Sequence, residues 1–270
     1  MNILFIGAHP DDCEVYGGGT AAHFSKLGHR VKFISVTNGD AGHHVMMGNE
    51  LVDCRSKESI IASQVLGVSY EIMDNHDGLL EADLRNRSQI IRRIREWEAD
   101  IVITHRPNDY HPDHRYTSQL VQDAAYMVMV PNIVQSVAPL RKNPLFLYFQ
   151  DHFQKPYPFR PDIAVSIDET YEHKIRSLDA HSSQFYEWLP WIDGVLDQVP
   201  ADQEGRINWL KGLWKNHPSD EVKKVLAHWY GAEHASNVQR AEAFEICEYG
   251  RKVSEEDIKE LFPMLKNSKL

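Results

Sequence analysis

Two short segments far apart in the chain carry its chemistry: Ala8-His9-Pro10-Asp11-Asp12 and His111-Pro112-Asp113-His114. Each sets His and Asp on a turn stiffened by proline. His9 and Asp12 are three residues apart, so one turn of chain can present both to a single ion. His114 completes a set of two imidazoles and one carboxylate, with an open position for water. Asp11 cannot easily share that ion in the same orientation as its neighbour, which leaves its carboxylate free to take a proton from the water. His111, three before His114, is placed to donate to a developing oxyanion or a leaving amine. Asp113 is placed to hold the His111 ring in one tautomer. This is the inventory of a metal-dependent hydrolase. The same donors suit Zn2+ and also the Fe2+ of a non-haem oxygenase.

The segments need elements to bring them together. Ile3 to Ile6, Val31 to Val36 and Ile101 to Ile103 are apolar without alternation, as strands buried on both faces of a parallel sheet are. Tyr70 to Met73, Leu145 to Phe149 and Ile163 to Ile167 are weaker candidates of the same kind. Between them, Gly17-Gly18-Gly19-Thr20 reads as opening a helix that runs to Leu27, with Gly28 as its cap. The segment 50–66 carries Glu58, Ile61, Ala62 and Val65 at helical spacing, and 83–98 carries Leu84, Ile91 and Ile94 on one face. A further helix is expected just after His114.

This rhythm predicts an α/β fold, a Rossmann-like three-layer sandwich with a mainly parallel sheet. Ligands of such sheets bind beyond the carboxyl ends of the strands, where His9 and His111 to His114 both fall. If their strands are neighbours, the two loops converge. Beyond about residue 180 the pattern changes, with Phe185, Tyr186, Trp188, Trp191, Trp209 and Trp214 followed by helices starting at Ser219 and Ser254. The reading is a domain over 1–184 and a helical C-terminal extension over 185–270. Trp188 and Trp191 are read as core or subunit-interface residues in preference to a sugar-stacking platform.

Composition sets the bounds. A chain of 270 residues with 42% hydrophobic and 25% charged residues can bury a large core. Its formal net charge of -10 argues against nucleic acid or an anionic membrane as partner. No stretch reaches transmembrane length, and the start of the chain lacks a basic leader. Cys13, Cys54 and Cys247 are too few and too scattered for a disulfide framework, which fits a reducing, cytoplasmic setting. A phosphate loop at Gly17 to Gly19 is set aside, since it has no P-loop lysine and Gly7 is wrongly spaced for GxGxxG. His43-His44 reads as a solvated loop before a substrate contact. A homo-oligomer is left open.

The two motifs do not stand alone. With Gly18-Gly19-Thr20, Thr37-Asn38-Gly39-Asp40, Arg55 and Glu58, Asp77-Gly78 and His181-Ser182-Ser183-Gln184, residues 1–185 resemble the LmbE-like/PIG-L family of zinc-dependent N-deacetylases. The resemblance implies zinc held by His9, Asp12 and His114, Asp11 as general base and His111 as electrophilic partner, the assignment that spacing suggests independently. It also implies that Arg55 and Asp77 line a sugar pocket. Tyr110 or Asp109, in the loop before His111, is placed to touch substrate. Cys13 departs from the family's pattern by standing between Asp12 and Glu14, and is read as packing inward. The expected partner is a small N-acetylated glycoside or amino sugar. Hydrolysis of a non-sugar amide, and a non-catalytic sugar-binding protein that keeps its metal for structure, are the alternatives.

Overall fold

The apolar runs form strands because each of their residues has a buried face to fill. The computed structural model describes residues 1–266. Its strands are β1 (Asn2–Gly7), β2 (Arg30–Ser35), β3 (Ser69–Ile72), β4 (Ile101–Thr104), β5 (Leu145–Phe149), β6 (Ile163–Ser166) and β7 (Ala241–Ile246). They make one sheet in the order β3-β2-β1-β4-β5-β7-β6. Strands β1 to β5 pair in parallel, and β7 runs antiparallel to both its neighbours.

Alternate residues serve opposite layers, as the pleat requires. Ile3, Phe5, Ile101 and Ile103 point into one apolar layer, and Leu4, Ile6 and Val102 into the other. Each such side chain fully buried contributes about 1.5–3 kcal/mol. The first layer is covered by α1 (Asp12–Lys26), α2 (Gly48–Leu66) and α5 (Tyr171–Ala180), which pack on one another, and the second by the pair α3 (Leu84–Glu96) and α4 (Pro112–Met127).

Three expectations are corrected here. Helix α1 starts at Asp12, so the glycine run lies inside it and does not open it. A Cβ on Gly17 would sit 2.5 Å from the Phe5 ring, and one on Gly19 would sit 2.7 Å from Ile167, so the glycines let α1 lie close on the sheet. Ile61 and Leu84, placed inward by periodicity, are 51% and 69% exposed. The inward face of α2 instead mixes Leu51, Ala62 and Leu66 with Arg55 and Glu58, which turn toward the loops of the site. Finally, the segment beyond 185 is not helical throughout. It begins with a π-helical turn (Ser183–Trp188) and α6 (Leu189–Ile192), continues through α7 (Gln203–Leu213), α8 (Asp220–Tyr230) and α9 (Ala232–Asn237), and then supplies β7 before α10 (Glu255–Leu261). Sequence reading missed β7 because Ala241-Glu242-Ala243-Phe244-Glu245-Ile246 carries two glutamates. Burial of Glu242 becomes tolerable only through partners elsewhere in the chain. The caps at Ser219 and Ser254 are present, the latter with its Asp257 capping box.

Candidate metal centre

Strands β1 and β4 are hydrogen-bonded neighbours, with Ile6 opposite Thr104, so the loops leaving them meet. The β1–α1 turn carries His9 to Asp11, and Asp12 is the first residue of α1. The loop after β4 ends at His111, the N-cap of α4. Pro112 opens that helix, where its missing N–H costs nothing.

Three donors converge. His9 Nδ1 lies 3.2 Å from His114 Nε2, Asp12 Oδ2 lies 3.5 Å from His9 Nδ1, and Asp12 Oδ1 lies 3.4 Å from His114 Nε2. Ligands about 2.0–2.1 Å from a tetrahedral ion stand roughly 3.3 Å apart, so the residues fit a metal of that size. Their remaining atoms, and Asp12 Oδ2 as well, already have partners in the protein. His9 Nε2 faces Asp77 Oδ1 at 3.1 Å and Asp113 Oδ2 at 3.3 Å. His114 Nδ1 is 3.1 Å from Asp109 Oδ1, off the line of an ideal hydrogen bond. Asp12 Oδ2 accepts from Ala8 N and His9 N at 2.9 and 2.7 Å and faces His105 Nε2 at 3.2 Å. These outer contacts direct Nδ1 of His9 and Nε2 of His114 inward, as metal sites require.

Burial opposes ionisation of Asp12, but His114 and His105 outweigh it and hold its pKa well below the usual carboxylate value. Burial likewise opposes a charge on His9, yet Asp113, Asp12 and Asp77 together raise its pKa well above normal. The cluster is built to surround positive charge.

Asp11 sits beside this centre and faces Arg55, whose Nη2 is 3.2 Å from Asp11 Oδ1. Burial pushes the pKa of Asp11 up to about 6 against the opposing charge of Arg55, and Asp12 adds to the rise. That value suits a base that works near neutral pH. His111 Nδ1 accepts from Asp113 N at 3.2 Å, and burial together with the charges of His9 and His114 lowers its pKa. A neutral His111 ring with Nδ1 as acceptor carries its proton on Nε2, and so is a donor. The expected pairing of the Asp113 carboxylate with His111 is corrected: only the Asp113 backbone N–H reaches that ring. The carboxylate is fully buried and accepts from Gly78 N at 2.7 Å besides facing His9, because the start of α4 turns it inward.

A cavity of about 470 Å³ opens over these groups and is lined by His9, Asp11, Asp12, His111 and His114 among others. Tyr110 stands exposed on its wall. Arg55 and Asp77 also line it, but both hold the protein itself. Arg55 donates to Pro10 O at 3.0 Å and Gly39 O at 3.4 Å, and Asp77 orients His9. Neither Trp188 nor Trp191 is in the core. Trp188 lines the cavity with its ring stacked 5.5 Å from half-exposed Trp191, which His44 covers on its other side at 5.2 Å. His43 pairs with Glu187 at 3.1 Å. Cys13 packs inward, its thiol 3.9 Å from Ile34 O.

Sequence reading missed His105, which is buried against Asp12 and stacked on His114 at 4.0 Å. Its position directly after β4, on the edge that carries His9, was the available signal. The roles of Asp109 and Asp113 in orienting His114 and His9 were also missed, since carboxylates behind a ligand follow no fixed spacing.

Residues 4–125 match the model of the PIG-L family, described as GlcNAc-PI de-N-acetylase. The chain is 29% identical over 201 residues to diacetylchitobiose deacetylase of Thermococcus kodakarensis, covering 70% of this chain and 74% of that protein. Among solved structures, the N,N'-diacetylchitobiose deacetylase of Pyrococcus horikoshii matches with a TM-score of 0.68 at 23% identity, over 92% of this chain and 84% of that one. The 4-carboxy-2-hydroxymuconate hydratase of Pseudomonas putida matches with a TM-score of 0.71 at 20% identity, over 94% and 99%. The scaffold therefore serves more than one reaction, and the site must decide between them.

Proposed function

We propose that this protein is a zinc-dependent N-deacetylase of an N-acetylated amino sugar or its conjugate. The observation that carries the reading is the convergence of His9 Nδ1, the Asp12 carboxylate and His114 Nε2 within 3.2–3.5 Å, with Asp11 beside them. Its resemblance to deacetylases of diacetylchitobiose supports the substrate class.

His9, Asp12 and His114 would hold the ion, which when bound supplies Lewis acidity to the amide carbonyl and to the attacking water. Asp11 takes the proton of that water on its carboxylate as the new C–O bond forms. His111 Nε2–H donates to the oxygen on which negative charge develops. As the C–N bond breaks, Asp11 returns its proton to the nitrogen, which leaves as an amine while the acyl group leaves as acetate. Arg55 keeps Asp11 in place.

The test is release of free amine from a panel of N-acetylated sugars and simple N-acetyl amides by the zinc-loaded protein. Release from sugars that ends in Asp11→Asn supports the reading. Release from the simple amides alone would assign a non-sugar amidase. A protein that binds zinc and releases nothing from either group refutes it.

A further inference from the structure

We infer that Glu58 is a positioning residue: its buried carboxylate fixes the turn that walls the metal cavity to the helix that holds Asp11, and so sets how tightly substrate is held over the metal centre. The kinetic consequence rests on the deacetylase reading; the anchoring itself does not.

Glu58 takes no part in the proposed reaction, yet it is almost wholly buried on α2. Three donors meet its carboxylate, all from the segment that follows α5. Ser183 N at 2.7 Å and Ser182 Oγ at 3.1 Å donate to Oε1, and Ser183 Oγ donates to Oε2 at 2.7 Å. Burying a carboxylate is costly even when donors satisfy it. An apolar side chain could fill the same space at less cost, but only the carboxylate grips the start of the turn at three points.

The turn itself, Ser183–Trp188, is π-helical, a rare form, and it puts Gln184, Phe185 and Trp188 on the cavity wall. Two of its other side-chain ties reach only a loop: Gln184 Nε2 donates to Gly42 O at 3.1 Å, and Glu187 pairs with His43 at 3.1 Å. Glu58 connects it to a helix. Arg55, three residues earlier on the same face of α2, holds Asp11 at 3.2 Å. One turn of one helix therefore sets the base and the wall relative to each other. Released from Glu58, the turn can shift while His9, Asp12, His114 and Asp11 keep their own contacts. Substrate is then held less tightly, but what does bind still meets an intact centre.

The experiment compares wild type, Glu58→Ala and Glu58→Gln, all zinc-loaded, by amide hydrogen exchange and by kinetics on N-acetylated sugars. The Ser183 amide donates directly to the carboxylate, so exchange reads the anchor whatever the reaction. In Glu58→Ala, exchange should rise over 183–188 and stay unchanged over 9–12 and 111–114. KM should rise about tenfold, with kcat within about threefold of wild type and zinc content whole. Glu58→Gln can still accept from Ser182 and Ser183 and can donate to Ser183 Oγ, so it should restore both protection and KM. Should Glu58→Ala not fold, Ser183→Ala, which keeps the backbone donor, should show the same changes at smaller size. Unchanged exchange over 183–188, a fall in kcat at constant KM, or a Glu58→Gln protein that behaves like Glu58→Ala overturns the inference. A wild-type protein that releases no amine would refute the deacetylase reading, while the exchange of the variants would still decide the anchor.

Discussion

His9 Nδ1 and His114 Nε2 stand 3.2 Å apart although 105 residues separate them in the chain. The parallel pairing of β1 with β4 brings them together, and His105, stacked on His114 and 3.2 Å from Asp12 Oδ2, holds the arrangement from behind. Replacing either histidine with Ala should abolish metal binding. His105→Leu should keep the three ligands yet weaken zinc affinity about 10–100-fold. Competition with a chromophoric chelator measures both, and unchanged affinity in His105→Leu would remove its supporting role.

In the proposed reaction Asp11 is the base, since burial keeps its proton affinity near neutrality while Asp12 beside it stays ionised. Asp11→Asn should cost about 10²–10⁴-fold in kcat/KM while zinc content stays whole. The base works only when deprotonated, so kcat/KM should fall below a pKa at or under about 6, a bound cation lowering that value further. A mutant that loses its zinc would instead make Asp11 a ligand.

Stability should also depend on pH through His181. Its Nε2 pairs with Glu14 Oε1 at 3.0 Å in full burial. Burial alone would lower the pKa of His181, but Glu14 above all, with Asp11 and Glu58, raises it. A raised folded-state pKa contributes stability that is whole below the unfolded value of about 6.5 and is lost as pH rises through the folded value. Urea unfolding of wild type against His181→Gln should therefore show a difference that shrinks as pH rises above about 6.5. A difference that grows with pH would reverse the assignment.

Lys174 and Glu242 meet at 2.7 Å with both side chains shut from solvent. Lys174 Nζ also donates to Val15 O at 2.6 Å, and Glu242 accepts from Gly19 N and Thr20 N at 3.0 and 2.8 Å. The pair ties β7 and α5 to α1, the helix that carries Asp12. Lys174→Met leaves the carboxylate uncompensated and should cost about 3–5 kcal/mol, read from the denaturation midpoint. A loss below 1 kcal/mol would mean that the backbone donors alone suffice.

Much of the site was legible in the chain because its key spacings are local. His9 and Asp12 share one turn, His111 and His114 another, and the apolar runs before them could only be buried strands. The same local reading reached the parallel sheet and the edge on which both loops lie. Tertiary structure alone decided what acts at a distance. Only the strand order brings His105 and Asp109 behind the ligands and turns the Asp113 carboxylate from His111 to His9. β7 exists because Lys174 and the backbone of α1 satisfy the charge of Glu242, a partnership between residues with no periodic relation. Sequence can state which groups a turn presents; which buried charge finds its partner depends on the packed whole.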